Sequence, residues 1–438
     1  MPTVRFGLEY PADIITLLRI VLLSGTLEKE MLRLGILVAF LGLIAGQTRR
    51  YDNYQVFRVV PKTTQQNNFL HEISEISGYS FWDGPHFVNS SADVMVSPKK
   101  LKEFKQLMNA SGIECKVHIE NVQDLMENEI LSHNKLISAG FDWQSYHSLE
   151  EIYVWLDSLE KTYPDKVKVV VAGKTYEDRE IKGVKVSFKE GNPGIFIEGN
   201  IHAREWITSA TVTFILNELL TSQQTEVREL AEKHDWYIFP VFNPDGFAYT
   251  HDKDRLWRKT RKPYTKICYG SDPNRNWGYK WNQGGASSFP CAETYAGSSA
   301  FSDIETKTIS EYITSIGEKF FAYIAFHSYS QLLLFPYGHT TAHLDNHNEL
   351  KAIGLKTIDA ISKRYGTQYV TGNIAETIYV ASGSSMDWVK ATFKTRISYT
   401  YELRDKGRYG FLLPADQIIP TGQETLDSLI TLFKEAEA

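Results

Sequence analysis

The sequence predicts an α/β fold: a mixed sheet covered by helices on both faces, with a small α+β unit in front of it. Two observations carry this reading. From about residue 149 to the C-terminus, short apolar runs alternate with longer stretches of helical period, and the apolar runs are too continuous for strands with a wet face. Before residue 130 a separate group of short elements stands apart, followed by a polar stretch of high helix propensity.

Taken in order, the chain opens with residues that do not enter the fold. Gly35 to Gly46 is an apolar core of about a dozen residues, the length of a signal-peptide h-region and too short for a bilayer of roughly 30 Å. Ala45 and Gly46 precede polar Gln47 and suit a cleavage point, so a signal is expected over about 31–46, with residues 1–30 an upstream extension. A buried N-terminal helix or a membrane anchor is the alternative for this run. In the early unit, Tyr54 to Val60 alternates as a strand and Asn67 to Ile76 has helical spacing. An interrupted strand follows over Phe87 to Val96, then a helix from Pro98 to Met108 and a last strand from Glu114 to Val117. Asn121 to Ser138 is polar and poor in core residues, which suits a connecting segment open to proteolysis, with Lys135 as the tryptic point.

Beyond it, strands are expected at Val167–Val171, Ile181–Phe188, Gly194–Glu198, Trp236–Phe242, Phe320–His327 and Ile397–Glu402. Helices are expected at Leu149–Tyr163, Trp206–Leu220, Ile304–Ile316, Glu349–Tyr365 and Thr421–Glu435. The chain of 438 residues, 42% hydrophobic and 13% aromatic, can bury a large core and spans more than one average domain. Its net charge of -6, from 47 basic and 53 acidic residues, gives no electrostatic footprint for nucleic acid or a membrane surface. Cys268 and Cys291 flank a loop rich in Asn, Gly and Ser, where a disulfide would stabilise by roughly 3 kcal/mol. Secretion would let that bond persist, and Cys115 is left odd. Two sequons, at Asn89 and Asn109, both lie in the early unit.

Chemistry gathers at strand ends, where sites in open α/β sheets form. The strand ending at Glu198 leads into Gly199-Asn-Ile-His202-Ala-Arg-Glu205-Trp206, with a His and a Glu three residues apart. Among 12 histidines roughly one such spacing is expected by chance, and His147-Ser-Leu-Glu150 is a second, set in an ordinary helix start. What separates them is company. The run Phe320 to Phe326 ends in His327-Ser328-Tyr329, and Ile397 to Tyr401 ends in Glu402. A histidine or an acid closing a buried strand needs a partner. Either alone fits a hydrogen-bonded core group, but together they make a two-His, one-carboxylate metal shell with a free carboxylate base.

These residues resemble the zinc carboxypeptidases of the pancreatic carboxypeptidase A and B group over nearly all of residues 51 to 438. The resemblance rests on Gly199 to Trp206, Asn243-Pro-Asp-Gly246, Arg255-Leu-Trp-Arg-Lys-Thr-Arg261, Asn274-Arg-Asn-Trp277, His327 to Leu334, Gly383-Ser-Ser-Met-Asp-Trp388 and Tyr401-Glu-Leu-Arg-Asp405, in the family's order. It implies an eight-stranded mixed sheet behind an antiparallel α+β propeptide. The domains it implies are extension and signal over 1–46, activation propeptide with connecting segment over 47–135, and a catalytic domain over 136–438, a secreted, extracellular monomer with no membrane span once processed. His202, Glu205 and His327 would hold Zn²⁺, with Glu402 as the catalytic carboxylate and Arg258 stabilising charge on the carbonyl oxygen.

The substrate would be a peptide or protein with a free C-terminus. Arg275 would take its carboxylate as a planar fork, helped by Asn274 and Tyr379, with Arg204, Ser328 and Tyr329 as further substrate contacts. Seen bare, Arg258 belongs to a basic loop and Asn274 to a turn. Members acting on basic residues carry an acid at the pocket base; here that position is Met386, which predicts aromatic or aliphatic preference. Taken alone, Met386 fits core packing. A trypsin-like protease cutting near Lys135 would release the active enzyme. The rival readings are a non-catalytic secreted scaffold, against which every motif residue is retained, and a zinc enzyme for amidated, side-chain-linked or basic C-termini, against which stand Arg275 and Met386.

Overall fold

The computed structural model describes residues 48–134, 140–317 and 320–437. The expected signal at 31–46, the extension before it, and Lys135 with its following bond lie outside the described residues. The small domain comprises β1 (Gln55–Val60), α1 (Thr64–Ser74), β2 (Tyr79–Asp83), β3 (Ala92–Val96), α2 (Leu101–Ser111) and β4 (Glu114–Ile119). Its antiparallel four-stranded sheet has the order β2-β3-β1-β4. Helices α1 and α2 bury Leu70, Ile73, Phe104 and Met108 against Phe57, Val59, Val94 and Val96.

The interrupted strand expected over Phe87–Val96 is corrected to β3 alone, with β2 lying earlier. Gly84, Pro85 and the left-handed Asn89 turn residues 84–91 into a loop, because proline lacks a ladder donor. The connecting helix α3 (Val122–Asn134) is not poor in core contacts: Val122 and Met126 are buried with Leu256, Tyr329 and Phe411. Its apolar face is narrow and is covered from the far side of the molecule, so its own periodicity hides it.

The large domain follows with α4 (Leu149–Thr162), β5 (Val167–Lys174), β6 (Glu180–Val186), β7 (Gly194–Glu198), α5 (Trp206–Thr221), α6 (Thr225–Lys233), β8 (Asp235–Phe239) and α7 (Pro244–Asp252). Then come α8 (Ile304–Ile316), β9 (Phe320–His327), β10 (Leu332–Phe335), α9 (His347–Tyr365), β11 (Val370–Asn373), α10 (Ile374–Thr377), α11 (Ser385–Phe393), β12 (Ile397–Glu402) and α12 (Ile418–Glu437). The eight-stranded sheet has the order β11-β10-β12-β9-β7-β8-β6-β5 and mixes parallel with antiparallel pairs. Helices cover both faces, with Ile195, Ile324 and Tyr399 packing into one apolar cluster and Phe196, Tyr323 and Ala325 into the other. Short β10 and β11, and helices α6, α7, α10 and α11, are elements that periodicity did not reveal. The strand expected to reach Phe242 stops at Phe239, before Pro240.

Three central strands, β7, β9 and β12, run parallel, so their C-terminal ends lie on one edge. Register sets Glu402 beside His327 and Glu198 beside Ala325. Among the described residues no helix is long and apolar enough to cross a membrane.

Away from that edge, Glu305 in the first turn of α8 is fully buried; one oxygen accepts from the Tyr176 N–H at 3.1 Å and the other has no partner. Burial, then Asp303, pushes its carboxyl from 4.5 up to about 8. The unfolded chain therefore ionises first, and this group's contribution to stability is lost as pH rises from 4.5 through about 8. Glu305→Gln should match the wild type near pH 5 in a thermal melt and exceed it by about 3 °C or more near pH 9. A gap that does not widen with pH contradicts this.

Candidate metal centre and active site

The loop after β7 is wound around one side chain. Asn200, left-handed at φ 52°, donates from Nδ2 to the carbonyls of His202, Ala203 and Glu205 at 3.2–3.4 Å. A Cβ on Gly199 would lie 3.0 Å from the Pro240 carbonyl and 3.2 Å from that of Thr208, so the turn has little room for a side chain. Glu205 ends the loop as the residue before α5. The ladder brings His327 to meet it.

His202 Nδ1 stands 2.8 Å from Glu205 Oε1 and 3.2 Å from His327 Nδ1, and His327 Nδ1 is 3.3 Å from Glu205 Oε2. All three residues are buried, and they form the one such cluster among the described residues. Bonds of about 2.0–2.1 Å to a tetrahedral zinc ion put ligand atoms about 3.3 Å apart, so this donor set fits the ion. Burial alone would raise the Glu205 carboxyl, but His202 and His327 hold it well below the usual range.

The far nitrogen of His202, Nε2, lies 3.1 Å from Asp272 Oδ1. The other Asp272 oxygen accepts from Arg258 Nε at 3.2 Å and Nη2 at 2.8 Å. One buried carboxylate thus orients a metal ligand and a guanidinium together. Burial would raise Asp272, yet Arg258, His202 and Arg275 keep it well below the usual carboxylate range. Sequence reasoning missed this residue, since Ser271-Asp-Pro-Asn reads as a turn; its only signal was a position two residues before Asn274. Arg258 stays protonated: burial opposes its charge, but Asp272 and Glu205 raise its pKa.

A single cavity is lined by His202, Glu205 and His327, by Arg258, Asn274, Arg275, Ser328, Tyr329, Tyr379, Met386 and Glu402, and by apolar Leu334, Ile374 and Ile378. Burial pushes the Glu402 carboxyl upward. Arg275 donates to the carbonyls of Gly285 and Asn274 at 2.8 and 2.9 Å and to the Tyr379 hydroxyl at 3.0 Å. The Ser328 N–H donates to Glu205 Oε2 at 3.2 Å. Arg204 stands aside from this lining: its guanidinium lies 4.1 Å from the Phe411 ring and pairs with Glu293 at 3.2 Å. Cys268 and Cys291 are bonded, and Cys115 is a free thiol. His147 behaves as an ordinary helix entry. Its ring stacks on Phe141 at 4.1 Å, while Ser148 and Glu151 form the capping box of α4.

The small domain closes the cavity. Trp82, Asp83, Gly84 and His86 line it, and the His86 ring stacks on Tyr379 with centroids 5.3 Å apart. The Tyr329 hydroxyl donates to Asp93 at 3.0 Å, and Asp93 is held by both nitrogens of an Arg58 fork at 2.7 Å. From α3, Glu129 accepts from Arg255 Nε and Nη2 at 2.7 and 2.9 Å, with both side chains buried.

Comparison with known proteins agrees with this arrangement. The family described as zinc carboxypeptidase matches residues 152–428, and the carboxypeptidase activation peptide matches residues 57–129. Zinc carboxypeptidase A 1 of Anopheles gambiae is 48% identical over 409 residues, 92% of this chain and 94% of that protein. Carboxypeptidase A1 of Bos taurus is 39% identical over 410 residues, 91% of this chain and 97% of that protein. The crystal structure of carboxypeptidase A from Helicoverpa armigera superposes with a TM-score of 0.82 at 30% identity, covering 88% of this chain and 98% of that one. With a family match over most of its length and its donor set at the ends of β7 and β9, the chain belongs to the zinc carboxypeptidases and carries their activation peptide ahead of the catalytic domain.

Proposed function

We propose that this is a secreted zymogen whose activated form removes aromatic or aliphatic residues from the free C-termini of peptides and proteins. The observation that carries this reading is the make-up of one cavity: a metal donor set, a carboxylate and two guanidiniums converge above an apolar floor that contains Met386. His202, Glu205 and His327 would hold the zinc ion, which when bound would supply Lewis acidity to the attacking water and the scissile carbonyl. Glu402 takes the proton from that water and returns it to the leaving amine. Arg258, already fixed by Asp272, meets the charge that develops on the carbonyl oxygen without reorganising.

Arg275 binds the terminal carboxylate as a fork, with Asn274 and Tyr379 beside it, while Ser328 and Tyr329 contact the residues upstream and Arg204, outside the cavity lining, would meet only a longer substrate. Met386 is buried among Leu334, Ile374 and Phe242, a setting that welcomes a large apolar side chain and would leave a lysine or arginine cation unpaired. In the zymogen, the activation peptide covers the cavity through Trp82, Asp83, Gly84 and His86; a trypsin-like protease cutting after Lys135 frees a monomeric enzyme of residues 136–438. The Cys268–Cys291 bond supports an extracellular location.

Activated protein assayed on blocked dipeptides ending in Phe, Leu or Arg should cleave the first two and lose activity to a chelator. Cleavage of the Arg substrate alone would overturn the pocket reading, and no cleavage of any would favour the scaffold. Glu402→Gln should lower kcat by about 10² to 10⁴ while the zinc content measured by atomic absorption stays at one per chain. Met386→Asp should move the ratio of kcat/KM for Arg over Phe substrates upward by on the order of tenfold or more. N-terminal sequencing of the trypsin-activated species should begin at Leu136.

A further inference from the structure

Glu198 is one of several fully buried carboxylates that the mechanism does not use, and it lies beside the cavity residues of α11. Glu198 closes β7, directly before the Gly199 turn, and faces the apolar cluster that contains Phe196, Tyr323 and Met386. Such a group costs several kcal/mol to bury unless it is hydrogen-bonded or neutralised. Its Oε1 accepts from the Ser385 hydroxyl at 2.9 Å, and the Tyr323 hydroxyl is its other side-chain neighbour. Ser385 is the first residue of α11, whose N–H has no intrahelical acceptor. That N–H donates to Asn274 Oδ1 at 3.1 Å.

An asparagine amide has two nearly isosteric orientations, one presenting oxygen and the other nitrogen. A backbone N–H can only donate, so it fixes Asn274 Oδ1 toward α11 and turns Nδ2 toward the cavity that Asn274 lines. We propose that Glu198 and Ser385 are positioning residues for C-terminal carboxylate binding: the Ser385–Glu198 bond anchors the start of α11 to the sheet and thereby keeps the Asn274 amide in its donor orientation. The anchor needs an acceptor oxygen at residue 198, not a charge. The proposal rests on the reading of Asn274 as a carboxylate contact.

The test uses the activated enzyme, steady-state kinetics on a blocked dipeptide ending in Phe, and inhibition by L-phenylalanine and by L-phenylalaninamide. Ser385→Ala should raise KM and weaken L-phenylalanine about five- to tenfold, the loss of one hydrogen bond, with kcat within about twofold. Binding of the amide, which lacks the carboxylate, should not change. Glu198→Leu should do the same. Glu198→Gln should stay near the wild type, since it keeps the acceptor for the Ser385 hydroxyl. If Glu198→Leu does not fold, Ser385→Ala decides alone. Equal weakening of acid and amide overturns the proposal in favour of simple pocket packing. Unchanged kinetics in Ser385→Ala, with a raised KM in Asn274→Ala, overturns it while leaving the reading of Asn274 intact. No effect of Asn274→Ala removes both.

Discussion

The Asp272 carboxylate is the point on which the site turns. It is buried, ionised, and shared between His202 Nε2 and the Arg258 fork. Without it, a metal ligand would lose the hydrogen bond that sets its ring orientation, and a buried guanidinium would lose its counter-charge. The surrounding backbone is arranged to keep it. The Asn274 N–H donates to Oδ1 at 2.8 Å, and the Ala203 N–H reaches the Arg258 carbonyl at 3.0 Å, so the metal loop and the basic loop are stitched together. Charge separation that would be expensive in an apolar interior is held within one compact network.

Strand order supplies the rest. Because β7, β9 and β12 are adjacent and parallel, residues far apart in sequence end at one edge, and the register that pairs Glu402 with His327 sets that carboxyl beside the metal donor set. Covering that edge is the role of the activation peptide. Its contacts are made to side chains that line the cavity: Tyr379 stacks on His86, Tyr329 bonds to Asp93, and Trp82 packs on Phe411 with ring centroids 5.4 Å apart. The Glu129–Arg255 pair extends this grip into the connecting helix, which explains why a segment that looks polar in isolation is packed rather than loose.

By itself the sequence determined the α/β class and most long elements, and it singled out His202, Glu205, His327 and Glu402 as one group, because continuous apolar strands ending in His or Glu leave a pattern that burial makes costly to explain otherwise. It also separated His202-x-x-Glu205 from His147-x-x-Glu150 through the company of His327 and Glu402. It did not give β2, β10 or β11, which are short and depend on neighbours for their hydrogen bonds. Asp272 was invisible for a related reason, since an acid in a turn looks the same whether it meets water or a buried partner, and Glu198 closes an apolar strand as Glu402 does without any sequence signal that names its partner. Which of them is buried, and against what, is a property of contacts between distant segments, and only the tertiary structure decides it.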